Sequence, residues 1–179
     1  MSFTTLPGAG APLRAVLLSA LVTELRPVSA FKTSATSRAS VTALAADPDL
    51  TIALPANSVW DWELRLVLFS AANAAGDFAG AMSYPADGVC SFSSVGSSDT
   101  LASGSSAPDT STRGQSRDGA TPSASFSFGC STTENGALVL GRIEINTAGS
   151  LTLTWAQLGS NVNATFLQDG SCLIARRAS

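Results

Sequence analysis

Two hydrophobic periods divide this chain. Between Pro12 and Pro27, Leu13, Val16, Leu17, Ala20, Leu21 and Leu25 recur at spacings of three and four, the repeat of one helical face. Pro12 suits a first helical turn, where a missing N–H costs nothing, and Pro27 pushes Arg26 out of the helical region. Leu18 and Val22 widen the stripe until Arg14, Ser19, Thr23 and Glu24 mark the wet side. A helix this short is marginal by itself in water. Each large side chain it buries contributes about 1.5–3 kcal/mol. The helix is therefore expected to dock, either as a cap on the chain's own β-domain or against a second copy or another protein. Before it, residues 2–12 hold two prolines and two glycines and read as an extended arm that exposes Phe3 and Leu6. Phe3, Leu6, Leu13, Val16, Leu17, Leu18, Leu21, Val22 and Leu25 are the candidate anchor or oligomer contact, within a first unit of residues 1–30.

From Phe31 the period falls to two. Asp49 to Leu54 alternates cleanly, Pro55-Ala-Asn57 reads as a turn, and Val59 to Phe69 is the strongest strand, with Asp61, Glu63 and Arg65 on its wet face. Weaker strands are expected over Phe78–Tyr84 and Val89–Val95. Regular ones follow over Ser123–Cys130, Ala137–Ile145 after a turn at Glu134-Asn-Gly136, Leu151–Trp155, and Ser171–Arg177 after Gln168-Asp-Gly170. The faces that share a side give a candidate core of Leu50, Ile52, Leu54, Trp60, Trp62, Leu64, Leu66, Leu68, Phe126, Phe128, Val139, Ile143, Ile145, Leu151, Leu153 and Trp155. Residues 96–122 are nearly all Ser, Thr, Gly, Ala, Asp and Pro and read as one long loop. The expected fold is mainly β: an antiparallel sandwich, jelly-roll-like, of about eight strands over residues 31–179.

The composition narrows the chemistry. Apolar residues make up 45% of the chain, enough for a sizeable core, but only 13% are charged, about half the usual share. Small neutral surfaces of this kind suit a protein that stays packed against neighbours. Net charge is −3, Lys32 is the one lysine, and the nearest thing to a basic cluster, Arg176-Arg177, is too small to neutralise phosphates, so no nucleic-acid partner is expected. No apolar run approaches the roughly 18 residues of a membrane span. Ala15–Val22 followed by Val28-Ser-Ala30 imitates a signal peptide, but Glu24 and Arg26 interrupt it. Histidine is absent, which removes the commonest general base and metal ligand.

Other motifs are weak. Asp47, Asp49, Asp61 and Glu63 could supply paired carboxylates, yet Asp47-Pro-Asp49 reads as turn chemistry and the other two as a solvated strand face. Calcium on Asp47, Asp49 and Asp77 lacks the ligand density of a specific loop. Cys90, Cys130 and Cys172, with no C-x-x-C pair, read as buried free thiols, a Cys90–Cys130 bridge being the alternative. Asn163-Ala-Thr165 matches a glycosylation triplet without a context for it, and Gly8-Ala-Gly10 follows no strand and is no phosphate cradle. No catalytic, metal or cofactor-binding residue is assigned.

The run Gly149-Ser-Leu-Thr-Leu-Thr-Trp-Ala-Gln157, then Asn161 to Thr165, then Asp169-Gly-Ser-Cys-Leu-Ile-Ala-Arg resembles the ending of small virion accessory proteins of tailed bacteriophages, many infecting actinobacteria. Ser40-Val-Thr-Ala-Leu, Asp47 to Asn57 and Trp62 to Leu68 are similar to the opening strands of the same group, and the Leu/Ala helix before them matches its layout. The likeness does not extend over residues 96–122. It implies a non-enzymatic capsid decoration (minor capsid) or capsid fibre protein on the outer surface of a phage head. Such a protein is made in the host cytoplasm, is often a homotrimer, and is anchored on the major capsid protein shell by its N-terminal segment. A minor tail or tail-fibre component is the alternative within that group. A carbohydrate-binding β-sandwich module, with glycan or cell-surface contact, is the alternative outside it, and Trp60, Trp62 and Trp155 facing a core count against that.

Overall fold

Strand Val59–Phe69 of the sequence reading is the spine of the molecule. The computed structural model describes residues 26–72, 76–97, 110–117 and 123–178. Twelve strands run through them. In chain order they are β1 (Val28–Phe31), β2 (Thr36–Arg38), β3 (Ala45–Leu54), β4 (Ser58–Ser70), β5 (Phe78–Ser83) and β6 (Val89–Ser97), followed by β7 (Thr110–Arg117), β8 (Ser123–Phe128), β9 (Asn135–Ile145), β10 (Gly149–Gln157), β11 (Thr165–Leu167) and β12 (Cys172–Arg177). The expected arm and docking helix lie outside the described residues.

All pairings are antiparallel, and they form two sheets. The larger has eight strands, ordered β1-β12-β4-β9-β6-β7, with β11 continuing the line of β12 along β4 and β2 lying beside β11. The smaller has four, ordered β3-β10-β5-β8. Twelve strands divided eight to four differ from the expected eight and from the even division of a jelly roll.

Alternation decides which face is buried. Along β4, Trp60, Trp62, Leu64, Leu66 and Leu68 are buried, while Asp61 and Arg65 are exposed and Glu63 half-buried. Leu50, Ile52 and Leu54 of β3, Phe126 and Phe128 of β8, Val139, Ile143 and Ile145 of β9, and Leu151, Leu153 and Trp155 of β10 meet them in one core. Phe92 of β6 meets Phe126 of β8 edge-on at 6.1 Å across the two sheets, and within the smaller sheet Phe78 of β5 stacks on Trp155 of β10 at 5.5 Å. All three cysteines are free and buried.

Four strands escaped the sequence pattern. β1, β2 and β11 span only three or four residues each, too few to show a period. The Val28-Ser-Ala30 that imitates a cleavage site is β1, paired with β12. β7 falls inside the expected loop of residues 96–122 and pairs with β6 from Cys90↔Arg117 to Ser97↔Thr110. Its sequence, Thr-Ser-Thr-Arg-Gly-Gln-Ser-Arg, has no large apolar residue, so backbone pairing at a sheet edge makes a strand that hydrophobic alternation cannot signal. The turn expected at Glu134-Asn-Gly136 sits earlier, because Asn135 and Gly136 already pair with Leu68 and Val67.

Candidate functional site

Two neighbouring strand lines break at the same level of the larger sheet. Between β11 and β12, residues 168–171 oppose only Leu66 and Val67 of β4, and Gly170 takes a φ of +83° to make the turn. Between β1 and β2, residues 32–35 leave the ladder beside that break. Backbone bonds from Lys32 N to Ser171 O (2.9 Å) and from Gly170 N to Lys32 O (3.3 Å) hold the two interruptions together. The smaller sheet answers with a bulge: Thr51 and Ala46 of β3 pair with Thr152 and Thr154, so Asp47 to Leu50 bow out opposite a single residue of β10.

Lys32 turns inward through this gap. Its Nζ lies 3.1 Å from Asp47 Oδ2 and 3.3 Å from Oδ1, 3.1 Å from Asp49 Oδ2, and 2.6 Å from Thr36 Oγ1. The Lys32 and Asp47 side chains are both 0% exposed and that of Asp49 30%. Asp47 is further held by three donors besides the ammonium. The backbone N–H of Asp49 (3.1 Å) and Leu50 (3.2 Å) and the ammonium reach Oδ1, and Trp155 Nε1 (3.1 Å) reaches Oδ2. The Trp155 ring carries the Arg38 guanidinium over its face, 4.4 Å from the centroid, which donates to the carbonyls of Trp155 and Ala46. Burial lowers the Arg38 pKa, and the Asp47 charge offsets part of that. The result is a saturated buried ion pair joining one edge of each sheet.

This geometry redistributes the carboxylate candidates. Asp47 and Asp49 come together, but around a resident ammonium that occupies the place a calcium ion would take. Asp77 is elsewhere, accepting the Cys130 N–H at 3.1 Å. Asp61 and Glu63 remain on the outer face of β4, paired with Arg142 (3.6 Å) and Arg65 (2.5 Å). Among the described residues no cluster of His, Cys, Asp and Glu could hold a metal. Of the glycosylation triplet, Asn163 is exposed and Thr165 buried. The sequence hint for Lys32 was its solitude: one lysine in a chain of few charges.

The surface offers a second feature. Loop 39–44 joins β2 to β3, loop 158–164 joins β10 to β11, and the two meet at one end of the sandwich. Ser40 N bonds Asn161 O (2.7 Å), Gln157 N bonds Val41 O (3.0 Å), and Leu158 N bonds Asp77 O (2.6 Å). Gln157, fully buried, reinforces them through Nε2 to Asn163 O (2.7 Å) and Oε1 from Asn161 N (3.1 Å). This fixed frame presents Val41, Leu44, Leu158 and Val162 to solvent, Val162 being 84% exposed. A groove of about 380 Å³ beside them is lined by Leu44, Gly80, Phe92, Phe126 and Leu158. Sequence reading missed these residues because isolated apolar side chains in polar loops carry no period. The outer face of the larger sheet also exposes Phe31, Val89, Val95 and Leu140. Trp60, Trp62 and Trp155 are 5%, 3% and 0% exposed, so none offers an indole face to a sugar.

No family model matches the chain, and no curated protein matches it. Solved structures that are weakly similar include two of infectious bursal disease virus. One is the structure of the Gt strain of infectious bursal disease virus, at 10% identity and a TM-score of 0.22 over 87% of this chain and 38% of that one. The other is the crystal structure of the infectious bursal disease virus VP2 subviral particle, at 11% and 0.22 over 86% and 36%. The chain spans less than two-fifths of the length of either. Likeness at this level carries no argument about assembly or activity.

Proposed function

We propose that this chain is a non-enzymatic structural protein of a virion, and within that class a capsid decoration protein on the outer surface of a phage head. Its copies associate as a homotrimer, and residues 2–26 anchor it to the major capsid protein shell. The observation that carries the reading is the apolar end of the sandwich, where Val41, Leu44, Leu158 and Val162 are exposed on a frame of backbone hydrogen bonds. A preformed apolar surface loses little conformational freedom when a neighbour covers it. The resemblance of residues 40–44, 47–57 and 62–68, and of the runs at 149–157, 161–165 and from Asp169 onward, to phage accessory proteins supports the same reading, as does the low charge.

The test uses particles stripped of the protein. Full-length chain should rebind on co-sedimentation, and a variant lacking residues 2–26, still β-folded by circular dichroism, should not. Equal binding by the truncated chain would sink the anchoring role. Mass spectrometry of separated heads and tails distinguishes the decoration protein from a minor tail or fibre component. Hits on a glycan array would turn the reading toward a carbohydrate-binding module.

A further inference from the structure

We propose that Lys32 and Asp47 condense to an intramolecular isopeptide bond, with Asp49 carrying the protons. The cluster has the parts such a reaction needs, already in place. The amine nitrogen lies 3.1 and 3.3 Å from the two oxygens of the Asp47 carboxyl, which brings it close to the carboxyl carbon that it would attack. Both side chains are fully buried, so water neither separates the pair nor competes with the amine. Reactants held at contact in this way gain the rate advantage of an intramolecular step.

The surrounding donors match the charge that would develop. Oδ1 receives the backbone N–H groups of Asp49 and Leu50 at 3.1 and 3.2 Å, an arrangement able to hold the oxyanion formed when nitrogen adds to Cγ. Among the described residues Oδ2 accepts no backbone N–H, only Trp155 Nε1 at 3.1 Å and the ammonium at 3.1 Å, and is the oxygen assigned to leave. Asp49 Oδ2, 3.1 Å from Nζ, is the group in reach to accept a proton from the amine and return it to the leaving oxygen. Its partial exposure gives the product water an exit.

The step balances without a co-reactant. Asp49 takes a proton from the Lys32 ammonium, and the free amine attacks Cγ of Asp47. The Nζ–Cγ bond forms, the Cγ–Oδ2 bond breaks, and Oδ2 leaves as water with the two protons that nitrogen has lost. Asp49 ends as it began, a carboxylate. The product links the end of β1 to the bulge of β3, stapling the two sheets at the edge where they meet.

Intact mass of the denatured full-length protein is the decisive measurement. The expected value is one water below that required by the sequence. Trypsin should fail to cut after Lys32 and should yield residues 15–38 and 39–65 as one branched product, since Arg26 precedes proline and resists cleavage. Asp49→Asn should restore the full mass while leaving a β-folded protein, and Lys32→Arg should restore it as well. A wild-type mass equal to the sequence mass overturns the proposal. So does a missing water that maps to Asp87-Gly88, Asp118-Gly119 or Asp169-Gly170, where cyclisation to a succinimide gives the same loss. A full deficit in Asp49→Asn removes Asp49 from the reaction.

Discussion

Lys32 and Asp47 show how a chain poor in charge uses the charges it keeps. Two ions taken out of water lose hydration that only close pairing and filled hydrogen-bond sites restore. Asp47 has both: an ammonium, two backbone N–H groups and an indole. Removing the lysine alone, as in Lys32→Met, leaves Asp47 a buried carboxylate with neither a cation nor a covalent link to β1, and should cost at least about 3–5 kcal/mol in urea unfolding. Asp61→Ala, which breaks an exposed pair on the outer face, should be close to neutral in the same assay. The thiols give a prediction against pH. Burial pushes Cys90 up from 9.0 to about 11 and Cys130 to about 12, while Cys172 is also raised. Above pH 9 the unfolded chain therefore loses protons that the native state keeps. Stability contributed by the protonated thiols is complete below the unfolded pKa and declines as pH rises towards the folded values. Urea midpoints should be flat to about pH 8 and fall at higher pH, and a Cys90→Ala/Cys130→Ala variant should lose part of that slope. A thiol reagent at pH 8 should label the wild type only after denaturation.

At the scale of elements, the long strands answer to alternation and the irregular ones to backbone. β4 and β10 could be drawn from their sequences because a face of leucines and tryptophans at period two has one good register. The bulge in β3 could not, since Asp47-Pro-Asp49 has turn composition and its partner Lys32 is distant in sequence and arrives from the other sheet. β7 is invisible for the opposite reason, being a strand without a hydrophobic face. The apolar end was equally hidden, because Val41 and Val162 belong to separate loops that only the backbone bonds bring together. Gly141 marks a place where an element depends on one missing atom. It pairs with Trp62 at the centre of β9, and a Cβ there would lie 2.4 Å from the indole and 2.7 Å from the Ser91 carbonyl oxygen. Gly141→Ala should therefore lower stability by about 1–3 kcal/mol through overpacking. Gly159→Ala, at a position with nothing within 4 Å, should leave the thermal midpoint unchanged. Equal effects of the two would mean that the backbone, and not the Trp62 contact, sets the cost.

For the whole molecule, the proposed homotrimer raises the question of which surface would hold its copies together. The sandwich turns an apolar end outward while the predicted apolar helix at residues 13–25 also demands cover, and one assembly has to satisfy both. Light scattering on two variants separates them. Leu158→Asp/Val162→Asp places charge on the exposed end and replaces no core residue, so monomer stability should stay within about 0.5 kcal/mol of wild type. If the end is the seam between copies, this variant should fall from trimer to monomer, while a chain lacking residues 2–26 should remain trimeric and lose only its hold on the particle. If the truncation gives monomers and the charged variant stays trimeric, the helix is the seam and the apolar end is the face that meets the shell. The two surfaces would then exchange roles, and particle binding should fail in the charged variant instead.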